Sequence, residues 1–269
     1  MLKRLVLLAC AACALAFAAA ARDAVVPFSA AQPGASLPPG WSILPLPRKK
    51  VPDFRLVRDA GVTVLHVYSD SAVGSALFRL RADPRARLSW RWKVDRTLAK
   101  GRLGFKEGDD FAARVYVSFD VPLESLTFAD RTKMRIARLI YGPDLPAATI
   151  CYVWDNHMPI GTNVWNPYTD RMRMVVLESG NARVGEWVEE SRDVEADFRA
   201  AFGASWKGPT PAITGVAVSA DTDQTQESVN AWFGDLRLEE RKLSASCCWA
   251  AGMRTSRCCA PWPRCQPPM

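Results

Sequence analysis

Histidine is almost missing from this chain: its 269 residues include two, His66 and His157. That excludes histidine-rich metal sites, and a Ser-His-Asp relay would have to use one of the pair. No Gly-x-Ser-x-Gly elbow, phosphate loop or dinucleotide glycine fingerprint occurs, which removes the common hydrolase, nucleotide and nicotinamide chemistries. Long apolar runs are scarce as well. The stretch from Leu5 to Phe17 falls short of the roughly 20 strongly apolar residues a permanent span needs. Cysteine is unevenly spread: of eight, Cys10 and Cys13 lie near the start and Cys151 stands alone in mid-chain. The rest crowd the end at Cys247, Cys248, Cys258, Cys259 and Cys265, in no zinc-ligand spacing. A solitary strand cysteine is expected to pack as a small hydrophobe.

Excess charge is also lacking where it would matter. The formal net charge is +7, but Lys3, Arg4, Arg241, Lys242, Arg254, Arg257 and Arg264 lie at the two ends. Removing those seven from 35 basic residues leaves 28 against 28 acids over 22–240. A neutral body lacks the basic footprint of a nucleic-acid binder, so no nucleic-acid partner is expected.

What is present begins with a secretory pattern: basic Lys3 and Arg4, the apolar run, then the small residues Ala18 to Ala21. Residues 1–21 read as a signal peptide, and the mature protein is expected in the periplasm or secreted, without a transmembrane span. Leu7-Leu8-Ala9-Cys10 is similar to a lipoprotein box, but too few apolar residues precede Cys10. Residues 22–240 are long enough for one substantial core, and 241–269 form a tail rich in Cys, Pro and Arg, expected to be disordered.

Within 22–240 the dominant pattern is short strands between turn residues. Strands are predicted over Val62–Tyr68, Ser75–Leu80, Leu88–Val94, Phe111–Phe119, Ala148–Trp154, Arg171–Leu177, Glu186–Glu190, Ile213–Ala220 and Val229–Leu238. Two helices are predicted. One runs over Leu126–Tyr141 with Leu126, Met134, Ala137, Ile140 and Tyr141 near one side, expected inward, the other over Asp193–Phe202 with Asp193 as cap and Gly203 at its end. Many strands with few helices predict an all-β fold, a two-sheet antiparallel jelly-roll sandwich of galactose-binding-like type. Tryptophan is plentiful, eight of ten falling between Trp41 and Trp232, as core anchors or stacking surfaces.

The candidate site centres on Gly108-Asp109-Asp110 and the strand that follows. Alternation puts Phe111, Ala113, Val115, Val117 and Phe119 on a core face, and Asp110, Ala112, Arg114, Tyr116 and Ser118 on a polar face or groove floor. A second acid pair, Asp221 and Asp223, fits a turn, a calcium ion or direct ligand contact. The segment Trp154 to Tyr168 reads as a long aromatic and amide-rich loop, with Trp154, Asp155, Asn163 and Trp165 as contacts for hydroxyls and sugar rings. His66 is expected to pack in its strand, and His157 to sit in that loop.

Trp90-Arg91-Trp92, Glu107 to Tyr116, Tyr152-Val153-Trp154 and Asp221-Thr222-Asp223 together resemble the exported bacterial family catalogued as domain of unknown function 3047. The resemblance spans about Phe28 to Glu240 and implies compartment and fold but no reaction. The closing strand Trp232 to Leu238 is also similar to the last strand of jelly-roll carbohydrate-binding modules. The function expected is a non-catalytic glycan-binding or envelope-associated module whose partner is an envelope polysaccharide. A polysaccharide-acting enzyme with paired carboxylates is the alternative, Asp110, Asp155 or Asp221 serving as acid or base, and a protein scaffold is the third.

Overall fold

The computed structural model describes residues 24–142 and 145–239. The signal peptide expected over 1–21 and the tail expected over 241–269 lie outside the described residues. Thirteen strands and two α-helices follow one another: β1 (Trp41–Pro45), β2 (Asp53–Asp59), β3 (Val62–Asp70), β4 (Gly74–Ala82), β5 (Arg87–Val94), β6 (Phe111–Phe119), α1 (Phe128–Tyr141), β7 (Ala148–Asp155), β8 (Asn163–Asn166), β9 (Thr169–Ser179), β10 (Val188–Asp193), α2 (Val194–Phe202), β11 (Ile213–Asp221), β12 (Ser228–Phe233) and β13 (Arg237–Glu239).

Two sheets form the jelly-roll sandwich. The first runs β1-β4-β11-β6-β7-β9-β8, the second β10-β5-β12-β3-β2, with β13 paired to β5. Pairs are antiparallel except β7 with β9, which run parallel. The predicted strand Val229–Leu238 is broken after Phe233 because Arg91 crosses there. A Cβ at Gly234 would lie 2.5 Å from Arg91 Cγ, so only glycine passes. Three strands went unpredicted: β1, β2 and β8. They are short or lie at sheet edges, where one-sided burial weakens the alternating pattern, as in β1 with only Trp41 buried.

The core lies between the sheets, and aromatic side chains span it. Trp90 and Trp92 of β5 share one face and meet edge-on at 5.6 Å. Trp90 lies 5.3 Å from Tyr152 and Trp92 5.8 Å from Trp154, both on β7 of the opposite sheet. Helix α2 closes one end, capped by the Asp193 side chain accepting from Ala196 N at 3.1 Å, with Phe198 and Phe202 inward. Among the described residues no helix is long and apolar enough to cross a membrane.

Trp92 and Trp154 are respectively 0 % and 1 % exposed, whereas Trp165 is 37 % exposed. Truncating Trp92 or Trp154 to alanine is expected to cost about 3–5 kcal/mol, and Trp165→Ala much less. Chemical denaturation of the three variants checks this ordering.

Candidate functional site

Strand β6 sits in mid-sheet between β11 and β7, and its approach is tightly constrained. A Cβ at Gly108 would meet backbone and side-chain atoms of Arg102 at 2.6 Å, so the Gly108-Asp109-Asp110 turn tolerates no side chain at its first position. Ala113, Val115, Val117 and Phe119 enter the inter-sheet core as alternation predicts. The start of the strand departs from it. The β11 partner register slips between Ser219 and Asp221, opposite Arg114 and Phe111, and this irregularity reverses the parity. Ala112 turns into the core, and Phe111 joins the outer face, its ring 4.6 Å beneath the Arg114 guanidinium.

That outer face is not an open groove. Leu103, Phe111, Cys151, Val153, Met174 and Val176 form a second apolar cluster over it, with Tyr116, Met158 and Val164 packed alongside. Asp110 is 1 % exposed and Arg114 5 %, so their part of the expected ligand face is closed, while Tyr116 is half-buried. A buried guanidinium needs anions. Arg114 pairs with Asp221 (Nε to Oδ2, 3.1 Å) and Asp109 (Nη2 to Oδ1, 3.6 Å), and also donates to the Asp109 carbonyl. Tyr116 hydroxyl and Ser219 Oγ lie 3.2 Å apart. Burial pushes the Cys151 thiol well up from its ordinary value, and the lone cysteine is a packed thiol.

The remaining acids also have structural duties. Asp110 Oδ2 accepts from Gln224 N (2.9 Å), Thr225 N (2.6 Å) and Thr225 Oγ1 (2.8 Å), tying the β11–β12 connection to β6. Asp223 pairs with Lys49 at 2.7 Å, and Asp221 with Arg114, so the two acids serve different cations. Among the described residues no group of three or more His, Cys, Asp or Glu is disposed to hold a metal ion.

The expected long loop is divided. Trp154 and Asp155 are both 1 % exposed and end β7. Asp155 Oδ1 accepts from His157 N at 2.8 Å and Met158 N at 2.6 Å, a turn contact that leaves it no role as an exposed acid. Asn163 and Trp165 belong to edge strand β8, where Asn163 Oδ1 accepts from Arg173 Nε and the Arg173 guanidinium lies 4.6 Å from the Trp165 ring. The structure thus pairs Arg114 with Asp221 out of solvent, engages Asp110 with the 224–225 turn and half-buried Tyr116 with Ser219 nearby, and places Asn163 and Trp165 on edge strand β8.

An exposed aromatic and polar surface does exist, on the other sheet. Leu65 and Val67 of β3, Ala231 and Phe233 of β12, and Trp92 and Val94 of β5 point into the core. Their alternates therefore line the outer face of the second sheet. The register lays Arg55, His66, Trp232 and Lys93 across four neighbouring strands. His66 and Trp232 stack with ring centroids 5.1 Å apart, and Lys93 Nζ sits 4.5 Å from the Trp232 ring and 5.2 Å from that of Trp187. Arg91 covers Trp187 at 4.4 Å, and Asp59 pairs with Lys93 and accepts from Trp187 Nε1 at 3.3 Å. His66 Nε2 lies 2.9 Å from Asn230 Oδ1, and Asn230 Nδ2 donates to Asp95 at 2.8 Å. His66, Trp187 and Trp232 are half-buried, and Tyr68 and Arg55 beside them are exposed. Each strand alone shows only ordinary outward polar residues, which is why the sequence did not reveal the row; outward His66, Tyr68 and Trp232 were the available signal.

A third polar group lies at the open edge of the sandwich. Glu190 of β10 is half-buried and Glu178 of β9 is 7 % exposed and paired with Arg183 at 2.8 Å. Burial, followed by the charge of Glu178, pushes the Glu190 carboxyl up to about 7.

A family model described as "Protein of unknown function (DUF3047)" matches residues 39–237. No curated protein matches the chain. Similar solved structures include the xyloglucanase domain of NopAA, a type three effector from Sinorhizobium fredii in complex with cellobiose (11% identity, 75% of this chain and 94% of that one, TM-score 0.39). The family 30 carbohydrate-binding module of a Clostridium thermocellum cellulosomal cellulase is similar at 11% identity over 75% of this chain and 98% of its own (TM-score 0.32). Endoglucanase 3 of Trichoderma harzianum, from family GH12, is similar at 7% identity over 75% and 91% (TM-score 0.38). These scores are low, and the two-sheet sandwich rests on its own strand ladders.

Burial pushes the Asp221 carboxyl from 3.8 up to about 7, the Arg114 charge opposing it and those of Asp110 and Asp109 adding to it. Between those values the folded chain keeps a proton that the unfolded chain releases, so this group's contribution falls as pH rises from about 4 to about 7. Asp221→Asn is expected to remove that slope. Urea melts across the window should show the parent losing stability relative to the variant as pH rises, and parallel curves would refute the assignment.

Proposed function

The chain belongs to the family of unknown function DUF3047, and we propose that it is an exported, non-catalytic glycan-binding protein of the bacterial envelope that uses the outer face of its second sheet. The observation carrying this reading is the row Arg55–His66–Trp232–Lys93 with Trp187 at its end. Trp232 and Trp187 are half-buried and offer a sugar ring the parts of their rings that His66, Lys93 and Arg91 leave uncovered. The neighbouring guanidinium, ammonium, amide and carboxylate groups donate to and accept from hydroxyls. Shape supports it too, since a sheet face is extended in the way a polysaccharide chain is. Arg91 would further favour a glycan bearing carboxylates.

A second reading rests on Glu190 and Glu178. A carboxyl pushed up to about 7 near a second carboxyl is one half of what a glycoside-cleaving pair needs. Release of reducing ends from envelope polysaccharide, lost in Glu190→Gln, would establish it. Calcium remains a further proposal at Asp221 and Asp223. An ion there would have to displace Lys49 from Asp223, and a melting midpoint lowered by chelator would support it.

For the leading reading, a glycan array and polysaccharide pulldown are expected to find a ligand. Trp232→Ala and Trp187→Ala should each weaken it by about tenfold or more while the fold stays intact, and Trp165→Ala should leave it unchanged. A ligand whose affinity ignores both tryptophans, or no ligand at all, would remove the proposal.

A further inference from the structure

Helix α1 presents apolar side chains to solvent. It is a well-made helix: Thr127 caps it, accepting from Asp130 N at 3.2 Å and donating to the Asp130 carboxylate at 2.9 Å. Among its described side chains only Met134 is buried against the domain, at 6 % exposure. Ile140, expected inward, is 57 % exposed, and Phe128, Ile136 and Leu139 are 82 %, 54 % and 87 % exposed. The reason is angular. At 100° per residue Phe128, Thr132, Ile136, Leu139 and Ile140 fall within one arc of about 120°, opposite Met134.

The charge around that arc is one-sided. The helix carries Arg131, Lys133, Arg135 and Arg138 against a single acid, Asp130, which pairs with Arg171 at 3.1 Å and with Lys133 at 3.7 Å. Arg131 and Arg138 donate to the carbonyls of Leu123 and Leu145, tying the helix to the body. Lys133 and Arg135 are exposed and flank the apolar arc on either side. An exposed apolar stripe of this size is costly in water unless something covers it.

The geometry points to an anionic phospholipid surface as the partner of α1. The helix would lie flat, its arc of Phe128, Ile136, Leu139 and Ile140 entering the headgroup boundary while Lys133 and Arg135 meet lipid phosphates. Fourteen residues make a helix of about 21 Å, suited to the plane of the interface and too short to span it. Flanking cations of one sign select a charged bilayer over a neutral apolar partner.

Flotation of the full chain with vesicles tests this. Binding is expected to phosphatidylcholine vesicles containing phosphatidylglycerol, weak binding to phosphatidylcholine alone, and loss at raised salt. The pairs Phe128→Ser with Leu139→Ser and Lys133→Glu with Arg135→Glu should each lower partitioning by about tenfold or more with unchanged melting midpoints. No binding, binding indifferent to both pairs, or binding equal on neutral vesicles would overturn the proposal. So would concentration-dependent dimerisation abolished by Leu139→Ser, which would give the face to a second copy of the chain.

Discussion

A guanidinium taken out of water must bring its anions with it, and around Arg114 that requirement organises one whole side of the molecule. Asp109 at the start of β6 and Asp221 at the end of β11 are its carboxyl partners, Asp221 gaining its full charge only above about pH 7. Phe111 supplies the ring beneath it. Neighbouring Asp110 then fastens the turn at 224–225, and Asn166 reaches Asp109 from the end of β8 at 3.0 Å. Three connecting segments are thereby held over the first sheet, and its face is closed at that end. Removing one partner of such a set strands a buried charge, which is worse than never having buried it. The consequence for function is spatial: the second sheet keeps the polar and aromatic face on which a ligand can lie.

Much of the fold was legible because burial on one face writes itself into a period of two. β5 and β6 show it plainly, with Trp90, Trp92 and Val94 or Val115, Val117 and Phe119 at alternate positions, and β6 was bounded correctly at both ends. Helix α2 was legible through its cap at Asp193 and the spacing of Val194, Phe198 and Phe202. Where the pattern failed, a tertiary contact was responsible. Arg91 over Gly234 cut one predicted strand in two, and the register slip opposite Asp221 turned Phe111 to the other face. Helix α1 was found and Met134 lies inward as expected, but Ile140 is exposed, since periodicity locates apolar positions without saying how far the domain covers them.

The candidate site was less legible. Acid and arginine in an alternating strand look alike whether they face water or each other. Only long-range pairing of Arg114 with Asp221, more than a hundred positions away, decides it. The aromatic row on the second sheet has the opposite difficulty. Its members come from β2, β3, β12 and β5, and no stretch of sequence contains more than two of them. A lone histidine at position 66 and a tryptophan at 232 acquire meaning only once the register makes them neighbours.

The parallel placement of β9 beside β7 constrains how the first sheet can be assembled. From β7 the chain passes beyond the position of β9 to lay down β8 at the rim, then returns through β9 to fill the gap. Among the described residues β8 has no ladder partner other than β9, so it docks only as the second arm of the β8–β9 hairpin. Hairpins form in microseconds, whereas distant strand pairing is the slow part of β assembly. The β7–β9 seam joins segments far nearer in sequence than the β4–β11 pairing does, and a chain in which it has not closed would leave the β7 edge free to pair with another molecule.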